Sequence, residues 1–496
     1  AWYLASFFLI FSFKSFILFR LYFAIFTFLI LFILSKWIKK KNEDLYLYYL
    51  GFFFVYPLAG LYYWFHLYLA DSLAILFFSV SFWILITQTF SKNRDDIKPL
   101  IASSFFVFLM CFSSLTFAYL GAALYLWHVY LIGFTKLKKL AIFLIYSVSP
   151  YVLYLGYLFA TNSFKEFYFA NFTYNTELYI SIPNYVRGSN FNPPKFAATV
   201  VYNFLQGYMP LLSKIKHLDL YLPTGVLAGM SSFVLFFLFF AKDWILGIIY
   251  FFILSFSAPR SGLKTFDETD YQSGLFLTLG FASAFIVLYM LRNLKKENNI
   301  FEDLKRVSRF LIAVFLIFTT VFLISNFYGK YFLRYTQQMP SIYDSSQTKD
   351  LLSSLIEDKD YFWIGPYEPN EIFYAGKGKI PGKYPTLLPQ FRENETLKTE
   401  FIKQFENNTP KVIIYKNQAS IFNTPALEFG KFFMEWMSDK YTQLEDIKEA
   451  RLLKNPSFFD LKSDLFLLNK NKEDLLKKLE SAGYIKLETT PLKSDK

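Results

Sequence analysis

The sequence predicts a polytopic α-helical membrane protein, with about ten transmembrane helices and a C-terminal soluble α/β domain. Of its 496 residues, 54% are hydrophobic and only 18% are charged, and the chain holds 64 Phe and 37 Tyr. Nearly uncharged runs of about 20 residues, the length that crosses the ~30 Å hydrocarbon core of a bilayer, recur through the first two thirds. From residue 329 onward charges become frequent and mixed. We therefore predict a membrane domain over 1–328 and a soluble domain over 329–496.

The distribution of charge excludes nucleic acid as a partner and orients the chain. The net charge is +12, but residues 329–496 hold 25 Lys and Arg against 24 Asp and Glu. The excess therefore belongs to the membrane domain, where short basic loops are typical of the cytoplasmic side and of contact with membrane lipids. These basic loops are 36–41, 92–98, 136–139, 242 and 292–309.

Placing every basic loop in the cytoplasm gives a consistent alternation of helices. The predicted helices lie at about 16–35, 45–65, 71–90, 100–117, 118–134, 140–160, 221–241, 244–257, 273–291 and 310–328. The outer side then receives a long loop at 161–220, a shorter loop at 257–272, and everything after 329. The sequence thus predicts a multi-pass protein of the cell membrane whose C-terminal domain is extracytoplasmic.

The C-terminal part alternates short apolar runs with amphipathic ones, which is typical of strands and helices in turn. Predicted strands are "YFWIG" (361–365), "KVIIY" (411–415) and "DLFLLN" (464–469). Predicted helices are 345–359, 393–408 and 471–484. A Pro-rich connection, 366–389, is too long for a simple turn and is predicted to be a functional loop.

Cysteine and histidine residues give no sign of a disulfide framework or a metal site. Cys111 is the one cysteine and lies in an apolar run, as a small buried residue does. Three scattered histidines lack the spacing of metal ligands. His128 lies in an apolar run, which favours a core or interfacial side chain.

Two ionisable residues lie near the predicted outer ends of membrane helices. Asp71 opens the third helix, where it either caps the helix and meets its dipole or belongs to a functional site. Arg20 lies in the outer half of the first helix, where it either snorkels to the interface or contacts an anionic group. Ionisable groups at membrane depth are costly, so both residues are candidates for function.

The two outer loops carry the remaining candidates. In 161–220, Asn175, Glu177 and Arg187 lie among Tyr and Phe, a mixture that suits the hydroxyl edges and apolar faces of a sugar. The loop 257–272 combines cations that suit a lipid-linked phosphate with acids and hydrogen-bonding side chains. Its candidates are Arg260, Lys264, Asp267, Tyr271 and Gln272. The alternative for both segments is a structured surface loop whose charges pair with one another.

Several stretches resemble the GT-C class of membrane glycosyltransferases, in particular bacterial relatives of protein O-mannosyltransferases and aminoarabinose lipid A transferases. Residues 13–38 and 56–78 are similar to the helices that carry an outer arginine, here Arg20, and the second acidic position, here Asp71. Three further stretches resemble the start of the large outer loop, the loop that contacts the polyprenyl phosphate, and a segment of the outer soluble domain. They are "FKEFYFANFTYNTELY", "SAPRSGLKTFDETDYQS" and "DYFWIGPYEPNEIFYAGKGKIPGKYPTLLP".

The resemblance implies an inverting glycosyltransferase that takes a sugar from a polyprenyl-phosphate donor to a lipid, glycan or protein acceptor of the cell envelope. Arg260, with Lys264 or Arg20, would bind the donor phosphate, and Tyr271 and Gln272 would replace a histidine that some relatives carry. Asp71 and Asp267 are the candidate catalytic carboxylates. Whether Asp71 orients the acceptor or binds a divalent cation stays open, and no other cofactor is expected.

One departure from the family concerns its first outer loop, which bears an acidic residue at or beside the catalytic base. The chain starts at Ala1 within an aromatic stretch, and no segment matches that loop. We therefore expect the first catalytic acid to be missing from this chain. Two other classes fit the helices and the cationic loop, namely a transporter or flippase for lipid-linked glycans and a non-catalytic partner in envelope synthesis.

Overall fold

A computed structural model of the protein describes residues 2–11, 16–62, 70–173, 192–213, 223–258, 273–293, 299–328 and 345–488. The contacts divide the chain into two compact units, one formed by the described helices up to 328 and the other dominated by residues 345–488. The domain boundary predicted at 328 adjoins residues 329–344, which lie outside the described ranges. Its position therefore stays a prediction.

The regular elements described in the first unit are all helices. In chain order its helices are α1 (Trp2–Phe11), α2 (Phe16–Lys41), α3 (Glu43–Tyr62), α4 (Ala70–Thr89), α5 (Ile97–Ser113), α6 (Ala118–Ile132), α7 (Leu137–Ala160), α8 (Phe164–Tyr168), α9 (Pro193–Ser213), α10 (Pro223–Lys242), α11 (Trp244–Ser257), α12 (Gly274–Asn293) and α13 (Asn299–Phe327).

Each of the ten predicted membrane helices has a counterpart among these helices, namely α2 to α7 and α10 to α13. Seven described segments are long and apolar enough to cross a bilayer, and they belong to α2, α4, α6, α7, α10, α12 and α13. Helices α5 and α11 are apolar but shorter. These apolar helices indicate a membrane protein, while the count of ten spans stays a prediction.

Burial separates a central pair of helices from the periphery of the first unit. In α4 and α12, 89% of the apolar window is buried within the protein, against 17% in α7 and 22% in α13. The peripheral helices turn large apolar side chains outward, such as Leu153 and Phe318. Water would not tolerate so much exposed apolar surface, whereas lipid tails do. Helices α4 and α12 therefore form the core of the unit.

The second unit contains a small mixed sheet, as the strand patterns predicted. The strands are β1 (Phe362–Gly365), β2 (Val412–Tyr415), β3 (Ser420–Ile421), β4 (Thr424–Pro425), β5 (Tyr441–Gln443), β6 (Ala450–Leu452), β7 (Leu465–Leu468) and β8 (Ile485–Leu487). Four of them form one sheet in the order β1-β2-β7-β5, in which β1 and β2 are parallel and the other pairs antiparallel. The three predicted strands are β1, β2 and β7, so these predictions are confirmed.

Helices cover both faces of this sheet. They are α14 (Ser345–Leu355), α15 (Pro369–Tyr374), α16 (Glu395–Asn407), α17 (Ala426–Phe429), α18 (Lys431–Ser438), α19 (Leu461–Asp464) and α20 (Lys472–Ser481). Because successive strand side chains point to opposite faces, Phe362 and Ile364 join one core with α14 and α20. Trp363 faces the other way, against Phe401 of α16 and Phe433 of α18. The predicted helices correspond to α14, α16 and α20, and α15 lies within the predicted functional loop 366–389.

Candidate functional site

Four of the basic loops of the first unit, 36–41, 92–98, 136–139 and 242, meet at one end of its helices. A network of side-chain contacts joins the end of α2, the ends of α4 and α6, and the starts of α5, α7 and α11. Its contacts are Lys41 Nζ with Asp96 Oδ2 at 3.1 Å, Lys136 and Lys139 with Asp95, Tyr130 Oη donating to Asp243 at 2.7 Å, and Lys242 over the Phe90 ring. We call this the basic end.

Asp95 is the electrostatic centre of this network. Lys136 Nζ and Lys139 Nζ lie 2.5 and 2.6 Å from its Oδ2 atom. The hydrogen bonds from these two lysines lower the pKa of Asp95 to about 2, and the bond from Lys136 has the larger effect. The carboxylate therefore stays charged and fixes the loop between α4 and α5 against the start of α7.

The two described site candidates of the first unit lie at the opposite end. Asp71 stands in the first turn of α4, about 27 Å along the helix from its basic end at Thr89. Arg20 stands near the start of α2, about 31 Å from Lys41 by the same rise per residue. We call this the Asp71 end, and the prediction that Asp71 opens its helix is confirmed.

Asp71 begins one of the two core helices rather than a peripheral one. Its side chain is partly exposed, and it is followed by Ser72, which is buried. Arg20 is exposed, and both charged side chains take part in polar or electrostatic interactions. A partly exposed acid in the first turn of a buried helix is held on a rigid element, where site residues are best placed.

The other candidates lie outside the described residues. They are Asn175, Glu177 and Arg187 of the first outer loop and Arg260, Lys264, Asp267, Tyr271 and Gln272 of the second. The attachment points of the second loop are described. Ala258 follows α11 and Ser273 precedes α12, and both are buried. Since α11 starts and α12 ends at the basic end, both attachment points lie at the Asp71 end.

The segment 161–220, predicted as an outer loop, is not a loop throughout, because α9 occupies 21 of its residues. Helix α9 packs against α10 and α11, where Tyr208 Oη donates to Gly229 O at 2.6 Å and Phe204 meets the ring of Phe251. Val200, Phe204 and Tyr208 form its buried stripe. Their spacing of four residues is the helical signal that would have found it.

His128 is buried in the core of the first unit, in agreement with the core prediction. Its Nδ1 lies 2.7 Å from Leu124 O, and its Nε2 lies 2.9 Å from Ser103 Oγ. Ser103 in turn lies 2.8 Å from Ser81 Oγ. A carbonyl can only accept, so Nδ1 carries the proton and Nε2 accepts from Ser103. The three side chains link α4, α5 and α6 and leave the imidazole no position for a ligand.

Replacing His128 with Leu is expected to destabilise the first unit by about 1–2 kcal/mol, because a buried hydrogen bond between helices is lost. The thermal unfolding midpoint of the purified protein in detergent measures it. Ser149→Ala, which removes an exposed hydrogen bond to Tyr146 O, is the control. A His128→Leu midpoint equal to that of the control would contradict a structural role.

Within the described ranges, no three His, Cys, Asp or Glu side chains converge as metal ligands. Comparison with known proteins found no matching family model, no matching curated protein and no matching solved structure.

Proposed function

We propose that the protein is a multi-pass membrane glycosyltransferase that moves a sugar from a polyprenyl-phosphate donor to an envelope acceptor. The proposal extends the resemblance of its helices and outer loops to the GT-C class. Donor, acceptor and reaction would meet at the Asp71 end, on the outer side of the cell membrane.

One observation carries the proposal. The two core helices, α4 and α12, both begin at the Asp71 end, one at Asp71 and the other directly after the loop 257–272. A carboxylate and a loop that carries Arg260 and Lys264 are thereby attached to two helices whose apolar stretches are largely buried within the unit. At the basic end, lysines of the basic loops form ion pairs with Asp95 and Asp96. We therefore propose the opposite end, which holds Asp71, as the location of the site.

The role proposed for each candidate residue follows from a reaction in which a phosphate is the leaving group. A carboxylate, Asp71 or Asp267, accepts the proton of an acceptor hydroxyl, which attacks the anomeric carbon with inversion. Arg260, with Lys264 or Arg20, stabilises the charge that develops on the departing phosphate. The sugar and acceptor would be held in line by the remaining polar residues. These are Asn175, Glu177, Arg187, Tyr271 and Gln272.

A transporter for lipid-linked glycans is the second candidate, and burial argues against it. Transporters of this kind place polar and charged groups near the membrane midplane. Among the described helices of the first unit, the buried polar side chains are Ser, Thr, Gln and His128, without a buried Asp, Glu, Lys or Arg. His128 is already committed to Leu124 and Ser103. A transferase site at one end needs no such groups at the midplane.

The orientation is testable by thiol labelling of intact cells. In a Cys111→Ser background, Lys431→Cys is expected to react with an impermeant reagent, because its exposed side chain belongs to the C-terminal unit proposed to be outside. Lys40→Cys, on an exposed position of the basic end, is expected to react only after the membrane is permeabilised. Labelling of Lys40→Cys but not Lys431→Cys on intact cells would reverse the proposed topology.

The activity itself is tested in membranes that contain the protein, supplied with polyprenyl-phosphate sugars labelled in the sugar. We expect labelled sugar to pass to an envelope acceptor in these membranes and not in membranes without the protein. Transport without transfer, seen as movement of intact labelled lipid between leaflets, would favour the second candidate.

A further inference from the structure

The second unit has a polar cluster at the carboxyl ends of its two parallel strands. Strands β1 and β2 are paired in register from Phe362 with Val412 to Gly365 with Tyr415, so the chain leaves both at the same edge. In open sheets with parallel strands, ligands bind in the crevice outside this edge. Glu368 and Glu371 follow β1, and Lys416 and Asn417 follow β2.

Lys416 is the centre of this cluster. Its Nζ lies 2.7 Å from Glu368 Oε1 and above the Phe458 ring, 6.0 Å from the ring centroid. The same lysine acts electrostatically on Glu371. Lys416 and Glu368 are each about one fifth exposed, and Phe458 is 39% exposed. The cluster is therefore open to solvent on the side of this ring.

Two polar atoms around the cluster, Glu371 Oε2 and Asn417 Oδ1, are buried without a hydrogen-bond partner in the described part of the chain. The hydroxyl of Thr348 lies near the Glu371 carboxyl and favours its charged form. Glu371 is only 4% exposed, whereas Asn417 holds its place by donating from Nδ2 to Ser463 O at 3.0 Å. Buried polar groups in proteins are nearly always paired, and each exception needs an explanation such as a ligand. Burial also raises the pKa of Glu371, so its charge is disfavoured.

The charges of the cluster select the class of ligand. Lys416 repels a cation, Glu368 repels an anion, and the ion pair of Lys416 with Glu368 leaves little net charge. The buried Asn417 Oδ1 atom and the Glu371 carboxyl favour a ligand with hydroxyl groups, which both donate and accept hydrogen bonds. The half-exposed ring of Phe458 offers an apolar surface beside them. A neutral polyhydroxyl ring meets all of these conditions.

We propose that this edge of the sheet is a saccharide-binding site, in which Glu371 and Asn417 bind hydroxyl groups of a neutral sugar and Phe458 packs against its ring. Lys416 supplies a donor to the same sugar from its place over Phe458. The site lies wholly within the second unit and goes beyond the proposed transfer of sugar at the Asp71 end. It is independent of the lipid-linked donor and of its phosphate.

The test is saturation-transfer NMR on the full chain in a detergent without a sugar headgroup. The probes are glucose, mannose, galactose and N-acetylglucosamine, with glucosamine and glucuronate as charged analogues. Glu371→Leu and Phe458→Ala are expected to bind the preferred neutral sugar about tenfold more weakly than the wild type. Glu445→Leu and Leu427→Ala change an exposed acid and an exposed apolar residue of the same unit, and both are expected to bind normally.

The thermal midpoint separates binding from a structural role. Removing a buried, unpaired carboxyl should leave the midpoint of Glu371→Leu at or above the wild type. Because the Phe458 ring is partly exposed, Phe458→Ala should still fold. Its sugar binding therefore tests the proposal even if Glu371→Leu fails to fold. Absence of sugar signals in the wild type, equal binding by Phe458→Ala, or tighter binding of a charged analogue would overturn the proposal. The NMR signals of sugar binding do not depend on sugar transfer in membranes. A failure of the proposed transferase function can therefore be told apart from a failure of this saccharide-binding proposal.

Discussion

Asp71→Asn is expected to reduce the rate of sugar transfer by about 10²–10⁴-fold, the usual contribution of general acid–base catalysis. The substitution keeps the size of the side chain and removes its ability to accept a proton as a carboxylate. Asp71 opens a core helix at the end where the loop 257–272, which carries Arg260 and Lys264, is attached. The measurement is the initial rate of transfer from a labelled polyprenyl-phosphate sugar in membranes with equal amounts of each variant.

Asp44→Asn is the matched control for this substitution. Asp44 also lies in the first turn of a helix, α3, but at the basic end. If Asp71 only complements the helix dipole, both variants should lose about 0.3–1 kcal/mol of stability and keep their activity. Equal rates for the two variants would therefore remove Asp71 from the proposed site.

Gly280→Leu is expected to disrupt the packing of the first unit, with a cost of roughly 3 kcal/mol or more. A Cβ atom at Gly280 of α12 would overlap the Cα and Cβ of Ala228 in α10. The close approach also allows Ser231 Oγ to donate to Gly280 O at 2.8 Å. Small residues at such crossings let membrane helices approach through their backbones. The measurement is the yield of monodisperse protein and its thermal midpoint in detergent.

Gly156 provides the control, since a Cβ atom there meets nothing within 4 Å. Gly156→Ala in α7 should be neutral or stabilise by up to about 1 kcal/mol, because alanine is the better helix former. A Gly280→Leu protein that is as stable as Gly156→Ala would show that α10 and α12 do not pack as described.

Most of the apolar helices were predictable because each is an apolar run with charged residues at one or both ends. Asp71, Lys136 and Lys242 mark such boundaries within a few residues of the observed helix ends. The end of α2 differs from prediction. The apolar run stops near residue 35, yet the helix continues to Lys41 because its terminal lysines favour the negative end of the helix dipole.

Helix α9 shows where apolar runs are a poor guide. Its sequence, "PPKFAATVVYNFLQGYMPLLS", mixes polar and apolar residues and begins with two prolines, so it resembles a loop in composition. Prolines fit the first turn of a helix, where their missing N–H groups would be unpaired. The one helical signal in this sequence is the four-residue spacing of Val200, Phe204 and Tyr208, which form the face buried against α10 and α11.

The sequence alone predicts at which end of the helices the candidate residues Asp71 and Arg20 lie, but not how the candidate residues contact one another. Helix direction and the basic loops place Asp71 and Arg20 at one end, because a helix that starts at one end must finish at the other. Which carboxylate meets which cation depends on contacts between segments far apart in sequence. The cluster of Glu371, Lys416 and Asn417 illustrates this, since it forms only when β1 and β2 pair in parallel.

Photo-crosslinking with a diazirine-bearing polyprenyl phosphate tests most directly whether lipid-linked phosphate binds at the Asp71 end. Membranes containing the protein are irradiated with the probe, with and without excess unlabelled polyprenyl phosphate, and the labelled peptides are identified by mass spectrometry. The expected result is competed labelling at the start of α2, the start of α4 and the loop 257–272. Competed labelling confined to the basic end, at 36–41 or 136–139, or labelling that unlabelled lipid does not reduce, would contradict the proposed donor site.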